Sequence, residues 1–179
     1  MDRTTGRFGD TEEMLKSIEE KLTKTEELPY LAKSLIYEDV CFSLHYLSNK
    51  YKECGSPIEF LMFMNLRGTL DFINDYYGTQ FYQQLQARVK TNGHNYRIDI
   101  LVAESFREND KNATRIAIEC DGHDFHEKTK EQAQHDKQRD RYLQMEGFKV
   151  MRFTGSEIYN HPSKCATDVG SMIESLIGS

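Results

Sequence analysis

The chain has 179 residues, 38% hydrophobic and 29% charged, with a formal net charge of −6. That length points to one domain with at most an appendage, and the composition is that of a globular chain able to bury a core without metal or disulfide staples. The acidic balance excludes a broad non-specific coat for nucleic acid, while leaving room for a local basic track.

From the N-terminus, residues 11–27 place Leu15, Ile18 and Leu22 at helical spacing. Asp10 or Thr11 can cap this helix and Pro29 ends it. Residues 31–52 form a second helix with Ile36, Val40, Leu44, Leu47 and Tyr51 on one face. After ECGSPIE, Ser56 can cap and Pro57 can open a third helix, closed by Gly78. Its apolar stripe is Ile58, Leu61, Met62, Leu66, Leu70, Ile73 and Tyr77, and Glu59 falls on the edge of that stripe. A carboxylate there is partly buried unless something claims it.

Strand signals follow. Leu85, Ala87 and Val89 alternate with polar residues, TNGHN supplies an Asn-Gly turn, and Ile98, Ile100 and Val102 alternate with Arg97, Asp99 and Leu101. This pattern predicts a β-hairpin. Residues 114–121 make a third strand. Thr129 with Gln132 fits a capping box for a helix that Gly147 stops, and this helix carries Asp136, Arg139 and Asp140 on its inward side. FKVMRFT is a short fourth strand, GSEIYN a turn or short helix, and Pro162 opens a last helix with Cys165, Val169, Met172, Ile173 and Leu176 on one side.

A helix between strands three and four implies a parallel crossover beside an antiparallel hairpin. The expected fold is therefore α/β (α+β): a mixed four-stranded sheet flanked by helices, with an N-terminal helical extension over 1–55 and the core over 56–179.

No window approaches the ~20 apolar residues that span a bilayer. MDRTTGRFGDTEEM has no apolar signal core. Cys41, Cys54, Cys120 and Cys165 form no C-x-x-C pair, which speaks against a zinc ribbon and for reduced thiols. A cytoplasmic protein without membrane contact or a small organic cofactor is the expectation.

The chemistry concentrates in IAIECDGHDFHEK, residues 116–128. Strand side chains alternate, so Glu119 and Asp121 point one way while Ile118 and Cys120 point the other. A neighbouring strand can bring Asp99 to them. Carboxylates in contact repel unless a cation joins them, and oxygen-only ligands favour Mg²⁺ or Mn²⁺. Such an ion activates water and neutralises a transferring phosphoryl group. A zinc site on His123 and His126 with Asp121 or Asp124 is the competing reading, though no H-E-x-x-H is present. The bland reading makes Glu119 and Asp121 ordinary acids at a strand end. Arg88, Lys90 and Arg97 on the hairpin, with Gln86 beside them and Arg152 on strand four, are candidate phosphate contacts, although solvated strand faces carry such residues too.

The ordered blocks SPIEFLMFMNLRG, YRIDILVA, IAIECDGHDFH and HDKQRDRYLQMEGFKVMRFTGSEI resemble the PD-(D/E)XK nuclease superfamily. Within it they look most like the very-short-patch-repair-type endonucleases. The resemblance covers about residues 56–160.

It implies a restriction-endonuclease-like αβββαβ core and a Mg²⁺- or Mn²⁺-dependent DNA endonuclease leaving 5′-phosphate and 3′-hydroxyl ends. Asp99 and Glu119 match the metal-binding acids, and Glu59 matches the acid on the preceding helix. Asp121 stands where a lysine usually follows, as in E-x-D-G variants. Lys137 on the next helix is one candidate for the missing lysine's role. His123 or His126 could instead handle a proton, and Arg139 could steady a phosphate or pair with Asp136. A two-fold dimer would suit cleavage of both strands. The alternative is a catalytically degenerate module that binds nucleic acid or a protein partner.

Overall fold

The structure is a computed structural model and describes residues 11–91, 93–104, 113–121 and 130–178. Two compact units divide the chain after Asn49. The first contains α1 (Thr11–Lys24) and most of α2 (Tyr30–Glu53). Lys33 Nζ, on α2, donates to the carbonyl of Thr23 on α1 at 3.2 Å. No α2 residue is fully buried. Of its expected apolar face, Val40, Leu44 and Leu47 are half-buried while Ile36 and Tyr51 are exposed.

The second unit begins with α3 (Pro57–Tyr77), capped by Ser56, whose Oγ accepts from Glu59 N. Gly78 closes it at φ 66°, a left-handed conformation that glycine adopts without penalty. Strands β1 (Tyr82–Thr91), β2 (His94–Ala103) and β3 (Arg115–Asp121) follow, then α4 (Lys130–Met145), β4 (Lys149–Thr154), α5 (Gly155–Asn160) and α6 (Pro162–Ile177). The expected cap residues Asp10 and Thr129 lie outside the described residues. The strands form one sheet in the order β1-β2-β3-β4. Its first two pairings are antiparallel and β3–β4 is parallel across the α4 connection, as the strand–helix–strand pattern predicts. No helix among the described residues is long and apolar enough to cross a membrane.

Helices cover both sheet faces. Met62, Leu66 and Ile73 of α3, Ile158 of α5 and Val169 and Ile173 of α6 pack on Ile100, Val102, Ile116 and Ile118. On the other face Leu143 of α4 and Phe148 meet Ala87, Ile98, Leu101 and Ala117. His94 stacks on Tyr142 of α4 with centroids 5.8 Å apart, which ties the hairpin tip to that helix. Tyr77, expected in the α3 stripe, is exposed instead (41%): it sits in the last turn, past the end of the sheet-facing stripe, and its hydroxyl lies 3.4 Å from Glu174.

The alternation along the hairpin is not uniform. Leu85 belongs to the α3 side and Ala87 to the α4 side, and Ile100 and Ile98 divide in the same way. Residues two apart share a face in a regular strand, so both strands turn over by one pleat between these positions. The turning point on β1 is Gln86, a non-glycine residue at φ 51°. Its place in the register falls opposite Asp99, and the pairing skips from Leu85↔Ile100 to Ala87↔Ile98. A left-handed residue inside a strand interrupts the ladder much as a bulge does. The sheet is therefore irregular beside Asp99.

Leu66 is fully buried between α3 and the sheet. Leu66→Ala should lower stability by about 2–5 kcal/mol, read as a lower urea midpoint at unchanged slope. Tyr159→Ala, at a 71% exposed position, should stay within about 0.5 kcal/mol of the parent protein.

Candidate functional site

The ladder between β2 and β3 ends at Ile100↔Ile118. One step beyond, the Asp99 carboxylate takes over: its Oδ2 accepts from the backbone N–H of Cys120 at 2.9 Å. Burial raises the Asp99 pKa, the Cys120 N–H works against that rise, and the negative charge of Glu59 adds to it.

Glu119 is 3% exposed. It lies on the α4 face, where Arg139 Nη2 meets its Oε2 at 2.6 Å. Its Oε1 is buried without a hydrogen-bond partner among the described residues. Burial pushes the Glu119 pKa up to about 7; Arg139 opposes the rise and Asp99 reinforces it. Buried Glu119 and half-buried Asp99 beside each other thus share an energetic problem that one guanidinium only partly relieves.

Asp121 is next on the same side of β3. Arg152, paired in register with Glu119 across the parallel β3–β4 ladder, reaches Asp121 Oδ1 at 3.3 Å. The same guanidinium forks onto Asp140 of α4, with Nε to Oδ2 at 3.0 Å and Nη2 to Oδ1 at 2.7 Å. Burial works against the Arg152 charge, but Asp140 and Asp121 outweigh it and hold the pKa above its usual value.

Glu59 is buried at the first turn of α3. Its Oε2 accepts from Gly55 N at 2.8 Å and from Gln86 Nε2 at 2.5 Å, and Ser56 Oγ lies 3.3 Å from its Oε1. A Cβ at position 55 would stand 2.8 Å from Glu59 Oε1, so the approach depends on Gly55. These contacts explain the left-handed Gln86: its turned backbone delivers the side-chain amide to Glu59.

Asp99, Glu119, Asp121 and Arg139 therefore gather at the end of the β2–β3 ladder, with Glu59 close enough to act on Asp99 electrostatically. Arg152 is engaged inside this cluster. Lys137 is exposed on α4. Arg88, Lys90 and Arg97 are exposed on the hairpin, with Arg88 directly opposite Arg97. Gly122, His123, Asp124, His126 and Glu127 lie outside the described residues. Sequence reasoning assigned no role to Asp140. The available signal was a carboxylate on the inward face of a helix poor in apolar residues.

Among the described residues no three His, Cys, Asp or Glu side chains are grouped as a cation cage. The fit to a hard divalent ion rests on less: two neighbouring carboxylates, half-buried Asp99 and buried Glu119, each tied through one oxygen, with the second oxygen of Glu119 buried and without a partner among the described residues. Oxygen donors of this kind suit Mg²⁺ or Mn²⁺ better than zinc. Asp99 and Glu119 are the residues that could hold it, with Asp121 alongside.

The raised Glu119 pKa has a stability consequence. Between its unfolded value near 4.5 and about 7, the folded protein binds more protons at Glu119 than the unfolded chain does. Stability of the metal-free protein should therefore fall as pH rises through that window, by at most about 3 kcal/mol from this group. Glu119→Gln should flatten that part of a Tm-against-pH curve, and an unchanged slope would contradict the assignment.

The chain has no match among curated proteins or among solved structures. One family profile does match, REase_MTES_1575, over residues 79–173. That span holds all four strands, α4, α5 and most of α6, and every group of the cluster except Glu59. It also covers more than half of the chain, and the protein accordingly belongs to this family of restriction-endonuclease-like domains.

Proposed function

We propose that this protein is a Mg²⁺- or Mn²⁺-dependent DNA endonuclease whose metal-binding acids are Asp99 and Glu119, with Asp121 beside them. The observation that carries this reading is the pair of carboxylates at the end of the β2–β3 ladder, half-buried Asp99 and buried Glu119, the latter with a buried oxygen that no group among the described residues satisfies. Family membership supports the nuclease assignment. The E-x-D-G pattern at Glu119–Asp121 and Gly122 supports placement near the very-short-patch-repair-type branch.

A divalent cation bound there supplies water activation and neutralises charge on the transferring phosphoryl group. The chain's own residues do the rest. Asp99 is held in place by Cys120 N–H, and Glu59 is held by Gly55, Ser56 and Gln86 beside the acids, where it can position a water. Lys137, His123 and His126 stand as candidates for moving a proton.

Substrate contact is assigned to the hairpin. Arg88 and Arg97 are cross-strand neighbours, and like charges directly opposite destabilise a sheet. Neither makes an ion pair among the described residues, and Lys90 adds a third exposed cation nearby. A phosphodiester backbone laid across them offsets that repulsion. Gln86, Arg139 and Arg152 are assigned to holding the acids beside the phosphate rather than to reading DNA. The unit taken to carry the activity is the core over 56–179. A two-fold dimer would bring two such sites to two strands.

A second reading draws on a specific observation: Glu119 and Asp121 each already face an arginine, which balances charge without a cation. On that reading the protein is a nuclease-like module that binds nucleic acid or a protein and does not cleave.

Plasmid nicking separates the two. Cleavage should appear with Mg²⁺ or Mn²⁺, vanish with EDTA, and fall at least about 100-fold in Asp99→Ala and Glu119→Ala. Metal-independent cleavage, or full activity in Asp99→Ala, would sink the assignment. Arg88→Ala with Arg97→Ala should weaken DNA binding and make its dependence on log salt shallower by about 2, roughly 0.9 for each lost phosphate contact. An unaltered slope would remove the hairpin from the interface.

A further inference from the structure

Glu119 divides its two oxygens between different environments. Oε2 takes the Arg139 guanidinium at 2.6 Å, and Oε1 is buried with no hydrogen-bond partner among the described residues. Arg139 is itself 18% exposed at the side chain, on the inward side of α4, so the pair is shielded from water on both ends. A buried carboxylate oxygen left alone costs free energy that a second donor or a cation would recover. Half-buried Asp99 beside it has Oδ2 tied to Cys120 N–H. The arginine is itself steadied, because α4 is pinned a residue further on by the Asp140–Arg152 fork to β4.

We propose that Arg139 is a positioning residue for the divalent ion: by holding Glu119 Oε2 it fixes the carboxylate so that Oε1 is presented, with Asp99, to the cation. The inference rests on the metal-dependent reading above and adds a role to it. Arg139 stays in place when the ion binds and does not compete with it. Hydrogen-bonding partners behind a ligating group fix its orientation, and their removal typically weakens metal binding about 10- to 100-fold. The alternative role for the same contact is a counter-ion that has to leave before a cation can enter, and the two roles predict opposite results.

The test uses the full chain and the metal alone. Mn²⁺ binding followed by electron paramagnetic resonance should weaken about 10- to 100-fold in Arg139→Gln, and Arg139→Lys, which keeps a charged donor, should recover most of the loss. Thermal melts run in parallel, since a merely structural role would lower Tm in both variants without this recovery by lysine. Arg139→Gln binding Mn²⁺ as tightly as the parent protein, or more tightly, overturns the proposal. If Arg139→Gln does not fold, a measurement on the unaltered protein decides. The Arg139 guanidinium ¹⁵N resonances, assigned by their loss in Arg139→Lys, should stay in slow exchange with solvent as Mg²⁺ saturates the site. Their collapse to those of a free guanidinium overturns it. Failure of the unaltered protein to bind Mn²⁺ in a manner dependent on Asp99 and Glu119 overturns the metal-dependent reading itself. Normal binding that Arg139→Gln leaves untouched overturns only the role of Arg139.

Discussion

The stop in the β2–β3 ladder after Ile100 and Ile118 is the constraint on which the polar centre depends. A strand that loses its partner leaves backbone groups to be satisfied by other means. Here the Asp99 carboxylate accepts the Cys120 N–H, so an acid substitutes for the next rung. On the other side of β2 the pairing with β1 is interrupted at the same residue, where Gln86 takes a left-handed conformation. Asp99 thus sits between two breaks, in a part of the sheet where the backbone is not fully paired and side chains can approach from both faces. Glu59 comes from the α3 side and Arg139 from the α4 side.

Helix α4 shows what such an arrangement costs. Its side toward the sheet offers Leu143 as its one fully buried side chain among the described residues; beside the ring contact of Tyr142 with the hairpin, its attachment rests on ion pairs, Arg139 to Glu119 and Asp140 to Arg152. Buried ion pairs contribute little net stability, because desolvation consumes most of the Coulomb gain, but their geometry is narrow. A helix attached in this way is held less firmly than one packed on an apolar stripe, yet its angular setting on the sheet is well defined. That suits a site in which the direction of a carboxylate matters more than the strength of the attachment.

Most of the architecture was legible in the chain. Periodicity and end signals located the strands and longer helices among the described residues, with 155–160 left open between a turn and a short helix, and the helix between the last two strands indicated their parallel pairing. Ser56, Gly78 and Gly147 act where turn chemistry places them. The acids Asp99 and Glu119 were legible because a carboxylate in a run of isoleucines has few other reasons to be there. The turnover of the hairpin was not legible: Leu85, Ala87 and Val89 read as one uniform face, and the positive φ of Gln86 goes with a long-range bond from its amide to Glu59 that no local pattern shows. The neighbour of Glu119 on β4 was also hidden. Register across a parallel crossover is not set by its length, so the chain does not reveal that Arg152 lies beside Glu119 or that Asp140 completes the fork. On α4, Lys137 and Arg139 are two residues apart and about 200° around the helix, which puts one in solvent and the other against β3.

The opposed arginines of the hairpin carry a practical consequence. A protein with a sequence pI near 5.5 is expected to bind a positively charged resin and to ignore a negatively charged one. Arg88, Lys90 and Arg97 form a small cationic face that the overall balance conceals. Charge at the length scale of a Debye length, about 8 Å in physiological salt, decides what a polyanion meets. That face would favour retention on heparin at low salt, a behaviour that net charge by itself does not indicate.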